Sequence, residues 1–173
     1  MTSQRARVLP LFFILVAWGA GPLRAQRPLE IVPSVGQFEV FDGGRASEVG
    51  WEARFAPRRF RRLPRFLPEA VPVTGAMANS QGTLYIYGGF RFNFPLGKRW
   101  TVIPSWATGL YYPGDDGGKD LGGAVEFRSG IELAYRLGGR SRLGVSLYHL
   151  SNGGLYEFNP GTESLILSYS VRP

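Results

Sequence analysis

Between residues 30 and 171, apolar and polar positions alternate with a period of two, and Gly, Pro, Asp and Asn cut the alternation into short runs. No convincing amphipathic helix follows Ala25. The clearest run is Arg142 to Asn152. Leu143, Val145, Leu147, His149 and Ser151 fall on one face, and Gly144, Ser146, Tyr148, Leu150 and Asn152 on the other. Residues 125–137 repeat the pattern, with Val125, Phe127, Ser129, Ile131, Leu133, Tyr135 and Leu137 opposite Glu126, Arg128, Gly130, Glu132, Ala134 and Arg136. In 84–94, Leu84, Ile86, Phe90, Phe92 and Phe94 oppose Tyr85, Tyr87, Arg91 and Asn93. The alternation predicts eight strands, at 30–41, 48–55, 71–79, 83–94, 99–112, 125–137, 142–152 and 162–171.

One face of these segments is apolar, and the other mixes both signs of charge with small residues. A soluble sandwich would bury the apolar face, whereas a membrane barrel turns it to lipid and the polar face inward. Alternation alone fits both. Three features favour the barrel. The segments are about ten residues long, as a tilted spanning strand requires. Trp100, Trp106, Tyr111, Tyr112 and Tyr169 fall toward segment ends, where an interfacial girdle would sit. The chain carries an export-type leader yet has no cysteine to make a disulfide frame.

An even strand count closes a barrel without a free edge. The expected fold is therefore all-β: an eight-stranded antiparallel transmembrane (outer-membrane) β-barrel. Such a barrel has room inside only for side chains. Glu52, Arg54, Arg91, Glu126, Arg128, Glu132 and Arg136 face inward and are expected to pair there, since isolated buried charges are costly. With both ends in the periplasm, connections near 42–47, 80–82, 113–124 and 153–161 are external, and those near 56–70, 95–98 and 138–141 periplasmic. Most of the basic excess (Arg58, Arg59, Arg61, Arg62, Arg65, Lys98, Arg140) then meets periplasmic-side headgroups.

Arg5 and Arg7 precede the apolar run "VLPLFFILVA" (Val8 to Ala17), and Leu23-Arg24-Ala25 offers a cleavage site. This order is that of a secretory signal, expected to span residues 1–25, with the barrel beginning near Gln26. The run is short of the ~20 apolar residues of a membrane helix. The full chain has 20 Lys+Arg against 13 Asp+Glu, a net charge of +7; losing Arg5, Arg7 and Arg24 with the leader reduces this to +4. An exported chain of that charge, with no helix-turn-helix or RNA-binding signature, is not expected to bind nucleic acid.

The only histidine lies in "YHLSNGGLYEFNPGTES", residues 148–164. His149 and Ser151 share the lipid-facing phase of segment 142–152. Glu163 is in phase with Leu165, Leu167, Tyr169 and Val171 on the next segment. Three polar residues thus interrupt two apolar stripes, and an ionisable group facing lipid needs a reason. Ser151 is the tenth residue of its segment. Ten residues at ~3.3 Å, tilted about 45°, climb roughly 23 Å, close to the ~25 Å apolar band, so Ser151 is expected at the outer border of the hydrocarbon. Serine needs a base to lose its proton, and histidine needs a carboxylate to fix its tautomer. Oxyanion donors are at hand in the backbone N–H groups of Gly153 and Gly154 and the side-chain amides of Asn152 and Asn159. A rim histidine among turn residues is the plainer reading, but it does not account for three in-phase interruptions.

His149-Leu150-Ser151-Asn152, followed by Asn159-Pro160-Gly161 and Glu163, resembles the C-terminal signature of the lipid A 3-O-deacylase (PagL) family. The specific match covers about the last 30 residues; the rest agrees in strand count and length. The resemblance implies an eight-stranded outer-membrane barrel with a Ser-His-Glu triad on its outer wall. It implies Ser151 as nucleophile, His149 as base and Glu163 as orienting acid. Asn159, Gly153 and Gly154 would form the oxyanion hole, with Asn152 supporting them. The implied substrate is lipid A of lipopolysaccharide in the outer leaflet, losing the acyl chain ester-linked at position 3. A serine mechanism needs no cofactor and no metal.

Other features carry less. "PGDDGGKDLGG" (113–123) could offer Asp115, Asp116 and Asp120 to a cation but lacks the closing glutamate of a calcium loop, and reads as a flexible external loop. "RRFRRLPRF" (58–66) reads as a headgroup-facing rim. Arg45 and Lys119, the basic residues of the external connections, are candidates for lipid A phosphates. Two other functions fit the same pattern: a non-catalytic outer-membrane barrel, or an outer-membrane phospholipase. The first gives no reason for a triad in phase on the lipid face; the second shares the triad's chemistry and differs only in the acyl donor.

Overall fold

A computed structural model describes residues 29–43, 46–60, 65–115 and 117–171. The expected leader, residues 1–25, lies outside them. The strands are β1 (Glu30–Phe38), β2 (Ala46–Arg54), β3 (Ala70–Asn79), β4 (Leu84–Phe92), β5 (Phe94–Leu96), β6 (Trp100–Tyr112), β7 (Val125–Gly138), β8 (Ser141–Ser151) and β9 (Thr162–Val171). All pairings are antiparallel between chain neighbours, and β1 pairs with β9 to close the ring. β4 and β5 both pair with β6 in one continuous register, interrupted at Asn93, so together they form a single stave. The result is a closed eight-stranded barrel, as the alternation predicts.

Alternation sorts the side chains as a barrel requires. Along β8, residues 144, 146, 148 and 150 are buried, while 143, 145, 147 and 149 are exposed. Ile31, Val35, Val49, Ile86, Leu110, Ile131, Val145 and Leu167 make the outer wall apolar. Of the expected girdle, Trp100, Tyr112 and Tyr169 are exposed near strand ends. Tyr111 instead points inward and is buried, because it shares the phase of Ile103 and Ala107. Trp106 lies mid-strand on the outer wall, its ring stacked on Phe127 at 5.7 Å.

The interior is divided along its length. Toward one end Arg54 bonds Glu30, Glu52 and Glu132, Arg91 bonds Glu52 and Glu132 at 2.6 and 2.8 Å, and Arg142 bonds Glu30. Three arginines thus offset three glutamates, which is what makes burial of these charges tolerable. Arg128 stacks over Tyr148 and Tyr87. Of the residues expected to pair inside, Arg128 thus meets tyrosine rings and not a carboxylate, and two more form no ion pair among the described residues. Arg136 is exposed at the end of its strand, and Glu126 is fully buried but its carboxyl oxygens accept no hydrogen bond. Glu126 lies toward the opposite end, where Phe38, Tyr85, Tyr111, Leu121 and Leu150 fill the core.

That apolar end is also where the connections expected to be external gather. Lys119 forms an ion pair with Asp42, the Tyr111 hydroxyl donates to Lys119 O, and Thr83 Oγ1 donates to Pro113 O. Segment 113–124 is therefore not the free loop its composition suggests. Leu121 is buried in the core and plugs the barrel. Asp115 accepts from Tyr112 and Asp120 from the N–H of Gly122, so each serves its own turn; Asp116 lies outside the described residues. At the other end, Arg58 bonds Ala70 through the backbone and Arg59 donates to Leu67 O and Arg65 O, so the described ends of the 55–69 connection lie against each other.

Candidate active site

His149 on β8 and Glu163 on β9 are directly paired residues, both facing outward. Neighbours opposed in this way have Cβ atoms ~4.5–5.5 Å apart, within bonding reach of a histidine and a glutamate. His149 Nδ1 lies 2.9 Å from Glu163 Oε1, with the imidazole half exposed. The bond assigns the proton to Nδ1 and leaves the Nε2 lone pair free. Ser151 ends β8 on the same face, opposite Phe127 of β7. Among the described residues no hydrogen bond joins its hydroxyl to His149; such bonds often tighten only when substrate is bound.

Beyond Ser151 the chain turns sharply, with Leu155 N donating to Asn152 O. Asn152 has crossed to the inward phase and is fully buried. Its amide nitrogen donates to Leu121 O at 2.9 Å and Phe158 O at 2.8 Å, and its amide oxygen accepts from Gly154 N at 2.9 Å. The Asn152 backbone N–H in turn donates to Asn159 Oδ1 at 3.0 Å. That bond fixes the Asn159 amide and turns its NH₂ away from Asn152. Of the three expected oxyanion donors, the amide of Asn159 and the N–H of Gly153 remain uncommitted among the described residues. The N–H of Gly154 is occupied by Asn152.

Two contributions escaped the sequence. Gly161 has φ +65, and a Cβ there would lie 2.8 Å from His149 Cε1 and 3.4 Å from Nε2. The imidazole is thus held between Glu163 on one side and the bare backbone of Gly161 on the other. Segment 117–123 is the second. Besides Leu121, it brings Gly122 so close that a Cβ would sit 1.8 Å from Phe158 O. Only the inward phase of Asn152, legible in the alternation, hinted that the site loop needed an inner partner. Of the phosphate candidates, Lys119 is engaged with Asp42, and Arg45 lies outside the described residues.

Filled core, apolar outer wall and Ser151, His149 and Glu163 on that wall near one rim define a class: a membrane β-barrel whose outer face carries a cluster of polar side chains. A family model described as Lipid A 3-O-deacylase (PagL) matches residues 70–172, and the chain belongs to that family. The crystal structure of the outer membrane enzyme PagL superposes with a TM-score of 0.62 at 17% identity, covering 83% of this chain and 99% of that one. A de novo designed transmembrane β-barrel gives 0.51 at 14% identity, covering 86% and 98%. Neisserial surface protein A (NspA) gives 0.52 at 9%, covering 83% and 95%. At these identities the likenesses are of fold. No curated protein matches the chain.

Proposed function

We propose that this chain is an outer-membrane serine esterase that removes the 3-hydroxyacyl chain ester-linked at position 3 of lipid A. The observation that carries the reading is the 2.9 Å His149–Glu163 contact on the outer wall, two residues from Ser151 on the same face. In this mechanism His149 Nε2 takes the Ser151 proton as Oγ attacks the ester carbonyl. Glu163 holds the Nδ1–H and stabilises the imidazolium. The developing oxyanion is received by the Asn159 amide and the Gly153 N–H, with Gly154 joining if Asn152 releases it. His149 then protonates the departing sugar oxygen. Water, deprotonated by the same imidazole, releases a 3-hydroxy fatty acid from Ser151. Every step uses side chains and backbone of the chain, so no cofactor is invoked.

In this reading residues 1–25 direct export and are cleaved. Both ends of the barrel chain lie in the periplasm, and the rim with the site faces outward. The substrate is then lipid A of lipopolysaccharide in the outer leaflet. Mass spectrometry of lipid A from cells carrying the wild-type gene, Ser151→Ala, His149→Ala or Glu163→Ala tests it. Loss of one 3-hydroxyacyl chain is expected with wild type and abolished by the Ser151 and His149 changes. Glu163→Ala should cost less, because a carboxylate that orients does not attack. Unchanged deacylation by folded Ser151→Ala would overturn the assignment.

A further inference from the structure

A polar residue also breaks the apolar outer stripe of β7, beside the histidine, and the mechanism above does not use it. Ser129 on β7 is paired directly with His149, which is paired directly with Glu163. Ser129 therefore lies in the same lateral row as the histidine and its carboxylate. It is exposed, flanked along β7 by Phe127 and Ile131, and opposed on β6 by Trp106. Trp106 and Phe127 are stacked, so an aromatic pair borders it on one side and Ile131 on the other. The Ser129 hydroxyl forms no side-chain hydrogen bond among the described residues. A hydroxyl facing hydrocarbon without a partner is unfavourable, and this one stands beside the site and not at a strand end.

Ser129 is also the diagonal neighbour of Ser151, because Phe127 opposes Ser151 and Ser129 opposes His149. Diagonal neighbours have α-carbons about 7–8 Å apart, and both hydroxyls stand on the outer side of the sheet. An ester carbonyl at Ser151 places its acyl chain down the wall, away from the loop that holds the oxyanion donors. The chain then passes C2 and C3 at the level of Ser129. A hydroxyl on C3 is two carbons from the reacting centre, and the bent path from Ser151 through C1, C2, C3 and that hydroxyl spans the diagonal.

We propose that Ser129 hydrogen-bonds the 3-hydroxyl of the scissile acyl chain and thereby selects 3-hydroxyacyl esters over unsubstituted acyl esters of the same length. This inference rests on the esterase reading of Ser151. The Ser129 oxygen can accept from the substrate hydroxyl or donate to it. The bond satisfies two groups that would otherwise both face hydrocarbon, so an unsubstituted chain forfeits it and leaves Ser129 unpaired.

The test uses the refolded barrel in detergent micelles and two synthetic acylated glucosamine lipids, identical except for a hydroxyl or hydrogen at C3 of the position-3 acyl chain. Wild type should favour the hydroxylated lipid in kcat/KM. Ser129→Ala should lower that preference by about fivefold to tenfold, the worth of one net hydrogen bond. Ser129→Thr, which keeps the hydroxyl, should restore most of it. Heat-modifiable gel mobility reports that each variant is folded. An unchanged preference in Ser129→Ala, or equal losses on both lipids, would overturn the proposal while leaving the esterase intact. Wild type that hydrolyses neither lipid, behaving like Ser151→Ala, would overturn the esterase reading and this inference with it.

Discussion

Asn152→Ala is the change that best separates the support of the site from its chemistry. Asn152 touches no reacting atom in the proposed mechanism, yet its amide makes three hydrogen bonds: two donated to Leu121 O and Phe158 O, and one accepted from Gly154 N. Two of them tie the turn after Ser151 to segment 117–123 and to the return toward β9, and the third closes the turn on itself. At about 1 kcal/mol net each, their loss weakens the ordered loop by ~3 kcal/mol, which lowers its population by up to about a hundredfold. None of the three belongs to the β-ladder, so the barrel should still close. The expected result is a 10- to 100-fold fall in deacylation kcat/KM with wild-type heat-modifiable mobility and β-rich circular dichroism. Labelling of Ser151 by a fluorophosphonate should slow in parallel, because the same loop carries the oxyanion donors. Activity within twofold of wild type in a folded variant would refute the view that the inner bonds of Asn152 hold the site.

Two further outcomes follow from the same geometry. Gly161→Ala should displace the imidazole from Glu163, because its Cβ would meet Cε1 at 2.8 Å. Since His149 is the only histidine, a ¹⁵N-histidine spectrum of untagged protein gives a single ring to follow, and a shifted Nδ1 resonance with at least tenfold lower kcat is expected. Gly43→Ala, at φ +81 with nothing within 4 Å, is the strain control and should change neither. Leu147→Gln, on the exposed wall of β8 opposite Leu165, should reduce activity on membrane lipid A far more than on a short soluble ester. Equal losses in a folded variant would argue against lateral approach of the substrate along this wall.

Much of the fold was legible because a barrel imposes one simple rule on every stave. Phase alone put Leu147 and His149 outside and Tyr148 and Leu150 inside. Phase also put Glu163 on the face of His149, although their direct opposition needed the register. Reading fell short where position along a strand was weighed instead of phase. Tyr111 is near a strand end, where a girdle residue is expected, yet its parity with Ala107 turns it inward. It fell short again in loops, where no periodicity operates. Composition made 113–123 a flexible loop, because glycine and aspartate are turn formers. There Gly114, Gly118, Gly122 and Gly123 serve close approach, and a single leucine at 121, set among polar neighbours, anchors the segment in the core. Glu126 and Arg136 show a third limit. Parity gives a direction but not depth, so it cannot say which inward charges meet.

The chemistry stands on the outer wall, but its geometry is set from inside. A one-residue slip between β8 and β9 would not merely move His149 from Glu163; it would turn one of them toward the core, since successive side chains change faces. What forbids the slip is the interior. On β8, Tyr148 sits beneath Arg128 and Ser146 is sealed in the core; on β9, the hydroxyl of Ser164 is bonded to Glu48 of β2 at 2.7 Å. At the far end Arg142 of β8 bonds Glu30 of β1, which joins β8 across β9 to the other side of the closure. Each of these contacts exists in one register only. An esterase of the proposed kind, working sideways on a lipid, cannot surround its site with protein to hold it rigid. A filled, ion-paired barrel supplies that rigidity from behind, and the register carries it through the sheet to the wall where Ser151, His149 and Glu163 stand.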